Sequence, residues 1–404
     1  MRVTFLTHYY PPEVGAPQAR ISTLARLLAE RGLEVTVHTG FPNYPDGRVR
    51  APYRNRPFSV EQQAGVRVVR SLVYPAPNSG FARRLANHAT FASSALATAH
   101  RAPPADVVVA ESPPLFCAAA GVAYARLKRA ALVVNVADRW PASAVELGAL
   151  RAPAAIRAAE ALESLCYRAA AAISVPTKGL ADSLERHPDA AGKVQRVGPS
   201  VDTALFRPTP LPERNRLRLL YAGTMGMAQG LGTLIEAARR VGQALLEVWI
   251  AGDGAEAPRV RAALARAELG HVRLLGSVPH GDVPALYADC DAAVVLLRDR
   301  PLFASAVPTK TLEAMAAGRA VLLSARGEVA ELVEGAGAGV AVPPDDPDRL
   351  AAAIRELARD REQLRRMGEA GRRCAEERFD WSAGLAAWQR LLEDALAARD
   401  QPAN

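Results

Sequence analysis

Cysteine is scarce in this 404-residue chain: the four thiols, at positions 117, 166, 290 and 374, are too widely spaced for a disulfide framework or a thiolate metal site. They sit mostly in apolar surroundings and read as reduced core thiols. No run reaches the roughly 18 to 20 apolar residues that a bilayer-spanning helix needs. The start, MRVTFLTHYYPPE, is a short strand pattern followed by a proline loop, without the long apolar core and small-residue cleavage site of a signal peptide. The expected location is therefore the cytoplasm, at most against the inner face of the cell membrane. Also missing are a D-x-D pair at a strand end and a His/carboxylate cluster, so no metal site is expected. The glycines at 223, 226 and 230 do not spell G-x-G-x-x-G, and no suitable acidic residue sits about twenty positions on at a strand end. A Rossmann dehydrogenase fits poorly.

What is present is apolar residue in quantity, half of the chain, enough to bury two substantial cores. Runs such as ADVVVAE, LVVNVA, LEVWIAGDG and AAVVLL alternate with Ala/Leu/Arg-rich helical stretches, the pattern of parallel sheets covered by helices on both faces. The first unit opens with a strand at 2–7, a proline-rich loop and a helix near 19–31 that ends at Gly32, which makes a βαβ unit. A Pro- and Arg-rich break, FRPTPLPERNR, separates this pattern from a second one beginning at LRLLYAGTMG. The expected domains are 1–200, 201–380 and a terminal helix at 381–404, with Leu385, Trp388, Leu391 and Leu392 on one face, packing back on the first domain. Ligands of open parallel sheets bind outside the carboxyl ends of the strands, so two such sheets with those ends facing would form one cleft.

Charge is unevenly spread. Residues 1–200 hold 24 Lys and Arg against 14 Asp and Glu, whereas the remainder holds 26 against 28. A basic first half points to an anionic partner such as phospholipid headgroups or a pyrophosphate-linked acceptor; an Arg-rich genome is the plainer alternative. The segment 80–101 carries Phe81, Leu85, Phe91 and Leu96 between Arg83, Arg84 and Arg101. It reads equally as an interfacial helix for peripheral membrane contact and as a helix packed on its own sheet. His88 and His100 read as surface or packing residues.

The most informative segment is VPTKTLEAMAAG at 307–318. Thr309 is a plausible N-cap, Gly318 a helix stop, and a helix N-terminus with Lys310 beside it suits a phosphate. Glu313, one turn in, could then reach a ribose hydroxyl pair. An ordinary capped helix is the alternative.

The stretch 219–378 resembles the donor-binding domain of the retaining glycosyltransferases of family 4, through YAGTMGMAQGL, IAGDG, LLGSVPHGDVPALYADCDAAV, PTKTLEAMAAGRAVL and GVAVPPDDPDRLAAAI. The first half is similar to the subgroup that builds bacterial surface polysaccharides, through YYPPEVGAPQAR, FPNYPDG, ESPPL and DRWPASAVELG. The resemblance implies a GT-B fold, two Rossmann-like α/β domains facing across a cleft. It assigns Glu313 to the ribose as the second glutamate of an E-x7-E motif, Gly15 to the donor phosphate and sugar, and Asp138 to the donor sugar. Gly223, Gly252 and Asp253 would lie near the donor, and Val278 would border the base. Glu13, Arg20 and Glu111 fall on the acceptor side. The sequence departs from the family at Ser305, where the first motif glutamate belongs, and at Thr224 and Gln229, near the usual Arg/Lys pyrophosphate clamp. Lys310, Thr309 at the helix entry and Arg298 are expected to supply that anion site.

The implied enzyme is a metal-independent transferase needing no cofactor beyond its nucleoside-diphosphate sugar, UDP-linked by expectation. It would move a hexose or N-acetylhexosamine to a lipid-linked or other anionic glycan precursor. Departing diphosphate develops negative charge that Lys310 and helix amides would stabilise. Two other readings share the fold: a sugar-nucleotide epimerase, and a non-catalytic nucleotide-sugar-binding partner protein whose site has decayed. Nucleic acid binding would explain the basic half but not the Glu313 segment.

Overall fold

The computed structural model describes residues 1–13, 15–44, 47–76 and 81–400. Position 14 of the YYPPEVGAPQAR segment, 45–46 of FPNYPDG, residue 80 and the Phe81 side chain lie outside the described residues. The chain forms two units, 1–198 with the end of the chain from Leu385, and 199–384.

The first unit holds eight strands: β1 (Arg2–Leu6), β2 (Glu34–Gly40), β3 (Phe58–Gln63), β4 (Val66–Ser71), β5 (Val107–Ser112), β6 (Ala131–Val136), β7 (Ala172–Val175) and β8 (Val194–Arg196). Their order is β3-β4-β2-β1-β5-β6-β7-β8, parallel throughout except for the β3–β4 hairpin. The central strands are buried on both faces, as the mainly apolar runs VVVAES and ALVVNV require. The terminal helix Trp381–Asp400 buries Leu385, Trp388, Leu391 and Leu392, and the Trp388 ring lies edge-on 6.5 Å from Phe5 of β1.

The second unit is a six-stranded, wholly parallel sheet of β9 (Leu217–Ala222), β10 (Leu246–Ala251), β11 (Val272–Gly276), β12 (Ala292–Leu296), β13 (Ala320–Ser324) and β14 (Gly339–Val342). Its order is β11-β10-β9-β12-β13-β14. In each sheet the chain builds outward one way and then the other, so order reverses between β1 and β5 and between β9 and β12. Loops diverge at those points and open a crevice at the strands' carboxyl ends.

Three expectations meet the structure directly. All four cysteines are buried and unbonded. Among the described residues, no helix is long and apolar enough to cross a membrane. In the helix Phe81–Ala97, Phe91 and Ala95 are fully buried in the first unit's core, with Leu96 packed against it. This part of the apolar stripe packs on the helix's own unit.

Candidate active site

The crevice at the β9/β12 switch point is framed by glycine. Gly223 (φ +143°) and Gly252 (φ +142°) end β9 and β10, and the Gly223 amide donates to the Ala251 carbonyl at 2.9 Å. A Cβ on Gly252 would stand 1.9 Å from the Gly223 carbonyl oxygen, and one on Gly223 would stand 3.0 Å from Cε and Nζ of Lys310. The two strand ends therefore touch through bare backbone, and the lysine lies along the space left open.

Lys310 is held from the ring side: Nζ donates to the Tyr221 hydroxyl at 2.8 Å and lies 4.0 Å from that ring's centroid. The hydroxyl in turn donates to the Thr224 carbonyl at 2.6 Å. Burial draws the ammonium down from the ordinary lysine range to about 7, while Glu313 opposes the shift. A cation that is poorly solvated and lacks a contacting carboxylate is disposed to take an anion.

The helix carrying Lys310 runs Thr309–Ala316, and here the expected cap is corrected. Pro308 occupies the N-cap in extended conformation, its carbonyl accepts from Thr311, and Thr309 is the first helical residue. Proline's fixed φ, about −65°, suits this entry. With no side-chain cap, the first backbone N–H groups stay available beside Lys310. Glu313 Oε1, one turn along, accepts from His280 Nε2 at 3.2 Å, and the hydrogen bond raises the His280 pKa above its ordinary value.

Other expected donor-side residues spend side-chain groups on their own loops. Gln229 Oε1 accepts from the Gly226 amide at 3.0 Å, and Asp253 Oδ1 accepts from the Gly254 amide at 2.7 Å. Arg298 braces the 224–230 loop from the other side of the switch point, its Nε and backbone N–H donating to the Met227 and Ala228 carbonyls, each at 2.8 Å. Thr224 is exposed and Val278 half-buried in the loop after β11. The Ser305 hydroxyl turns back on the Leu302 carbonyl at 3.2 Å.

The first unit's residues gather at the β1/β5 switch point and are largely paired with one another. Arg20 donates to Glu111 at 2.7 Å, Asn135 donates to the same carboxylate at 2.7 Å, and Thr7 donates to its other oxygen at 3.3 Å. Burial pushes the Glu111 carboxyl up while these partners hold it down. Gly15 is the N-cap of the helix Ala16–Glu30. Asp138, just beyond β6, is half-buried and pushed up by burial against hydrogen bonds from Ser143 and the Arg139 amide. Glu13 stands apart from this group: it is buried, and one oxygen accepts from the Asn43 and Tyr44 amides at 2.8 Å each, so it fixes a turn.

Tyr221, His280, Asn135 and Thr7 were not among the residues the sequence singled out. Tyr221 had a signal, since it stands two residues before Gly223; the others pair across long separations that leave no local trace.

Residues 15–200 match the glycosyl transferase 4-like domain and residues 216–360 the glycosyl transferases group 1 model. The chain is 25% identical over 367 residues to the putative colanic acid biosynthesis glycosyl transferase WcaI of Escherichia coli, covering 86% of this chain and 89% of that protein. It is 30% identical over 224 residues to the GDP-mannose-dependent alpha-(1-6)-phosphatidylinositol monomannoside mannosyltransferase of Mycobacterium tuberculosis, covering 52% of this chain and 58% of that one. In fold it is similar to sucrose-phosphate synthase from Thermosynechococcus elongatus (TM-score 0.78, 19% identity, 98% and 99% of the two chains). Anabaena HepE in complex with UDP and glucose gives a TM-score of 0.72 at 19% identity over 97% and 98%. With a 4-like domain followed by a group 1 domain on two doubly wound sheets, the chain is a glycosyltransferase of the GT-B fold.

Proposed function

We propose that this enzyme transfers a hexose or N-acetylhexosamine, with retention of configuration, from a UDP-linked donor to a lipid-linked saccharide or similar cell-surface precursor. The observation that carries the donor half is Lys310, seated on Tyr221 beneath Gly223 at an uncapped helix start. The donor diphosphate lies over Gly223 and the first amides of the Thr309–Ala316 helix, and Glu313 takes the ribose hydroxyls. As the bond from C1 to the phosphate oxygen breaks, Lys310 and those amides stabilise the charge on the leaving diphosphate. The acceptor hydroxyl bonds to C1 on the same face and gives its proton to the departing phosphate, so no protein nucleophile is needed. In the first unit we assign Asp138 to a sugar hydroxyl. The acceptor class is supported by the relatives' names, a colanic acid transferase and a phosphatidylinositol monomannoside transferase, and by the basic first half.

Melting of the parent, Lys310→Ala and Glu313→Ala with UDP, GDP, ADP, dTDP and their sugars tests the reading. A ligand at a hundredfold excess over Kd stabilises by about 3 kcal/mol. UDP and its sugars should raise the parent's Tm, with the shift lost in both variants. A shift by GDP alone reassigns the base, and none with any nucleotide overturns the donor site.

A further inference from the structure

His280 and Glu313 are 33 positions apart, the first in a short turn after β11, the second in the Thr309–Ala316 helix, yet Nε2 and Oε1 meet at 3.2 Å. The side chains are 35% and 16% exposed, so a pair of this kind adds little to stability. Its surroundings nevertheless fix it. The His280 ring lies edge-on to Phe206 with centroids 5.5 Å apart; Phe206 is buried and packs on Tyr287 at 5.8 Å. The Tyr287 hydroxyl donates to the Lys310 carbonyl at 3.2 Å, in the helix that presents Glu313. One aromatic stack thus ties the ring to the backbone of the helix whose carboxylate it meets. Glu313 and Asp202 are the charged groups that bear on the ring, and both favour its protonated form.

We infer that His280 is a positioning residue: by holding Oε1 it turns Oε2 of Glu313 toward the ribose hydroxyls and so sets the enzyme's preference for ribonucleotides. This rests on the ribose assignment made above. A glutamate left alone has several rotamers to lose on binding, and a preformed hydrogen bond removes part of that cost.

The test compares affinities for UDP and 2′-deoxy-UDP in the parent, His280→Ala, His280→Gln and Glu313→Ala, with each variant's ligand-free Tm recorded. The parent should favour UDP. His280→Ala should cut that preference roughly five- to tenfold, through weaker UDP binding at unchanged 2′-deoxy-UDP binding. His280→Gln, which keeps a donor, should restore most of it. A preference unchanged in His280→Ala but abolished in Glu313→Ala would overturn the inference and leave the ribose assignment standing. Equal binding of both nucleotides by the parent, insensitive to Glu313→Ala, would overturn both.

Discussion

At the switch point between β1 and β5, polar side chains satisfy each other; at the one between β9 and β12, a cation beside a helix start without a side-chain cap is left for something else. Glu111 meets Arg20, Asn135 and Thr7, and the chain of hydrogen bonds runs on from Asn135 to Ser174 at 2.9 Å. Lys310 meets a phenol oxygen and a ring, with a glycine above it. Both sheets have the same winding, so topology supplies a crevice in each and the side chains decide how it is used. A buried polar group with every partner in place stiffens a fold; one lacking a counter-charge costs stability and gains affinity.

The sharpest way to break the contrast is Gly252→Ala. The new methyl would meet a backbone oxygen at 1.9 Å with φ at +142°, combining overpacking with strain, on the order of 4 kcal/mol. Urea unfolding should show that loss, and the nucleotide-dependent Tm shift should vanish with it. Arg20→Ala attacks the other crevice and leaves the Glu111 carboxylate buried without its cation, a loss of about 3 kcal/mol. Arg26→Ala, in the same helix, removes an exposed pair with Glu30 and should cost under about 0.5 kcal/mol. Equal losses for the two arginines would contradict the reading of the first crevice as a stiff, satisfied cluster.

Glu13→Gln gives a smaller effect with a definite sign. Burial raises the folded-state pKa of Glu13 to about 7, above its unfolded value, so folding retains a proton that the unfolded chain has released. The parent therefore loses stability as pH rises through about 7, and the neutral isostere does not. The variant should match the parent at pH 4, below both values, and exceed it by about 3 kcal/mol at pH 8. No difference between the two pH values would show that Glu13 is already ionised in the fold.

Much of this was legible in the sequence because it is local. Strand runs such as VVVAES, the glycines that end β9 and β10, and the spacing of Lys310 and Glu313 within one helix turn are all short-range signals. The illegible parts are pairings: Tyr221 reaches Lys310 across 89 positions, and Arg20 reaches Glu111 across 91. Residue 313 shows the limit well, since its identity was readable and the histidine that meets it was not. The helix Phe81–Ala97 shows a second limit, because apolar periodicity states that a face is buried without stating against what. Thr309 reads as the cap from sequence alone, and backbone geometry gives that place to Pro308.

The mildest perturbation, pH, tests the second crevice without altering any atom of the chain. Lys310 titrates near 7 in the free protein, below its unfolded value, and a bound diphosphate favours the charged form. Binding above that pH must therefore take up a proton, and affinity falls by up to tenfold per pH unit until the bound-state pKa is passed. A nucleotide sugar is the suitable probe, since its bridged diphosphate does not itself titrate in this range. Its Kd should be flat from pH 5.5 to 6.5 and weaken steadily from pH 7 to 9, with matching proton uptake in calorimetry across buffers of different ionisation enthalpy. Lys310→Arg keeps its charge throughout and should flatten the profile even if it binds less tightly. A parent profile flat to pH 9 would show an ammonium already charged in the empty site, and the crevice would then differ from its counterpart by geometry alone.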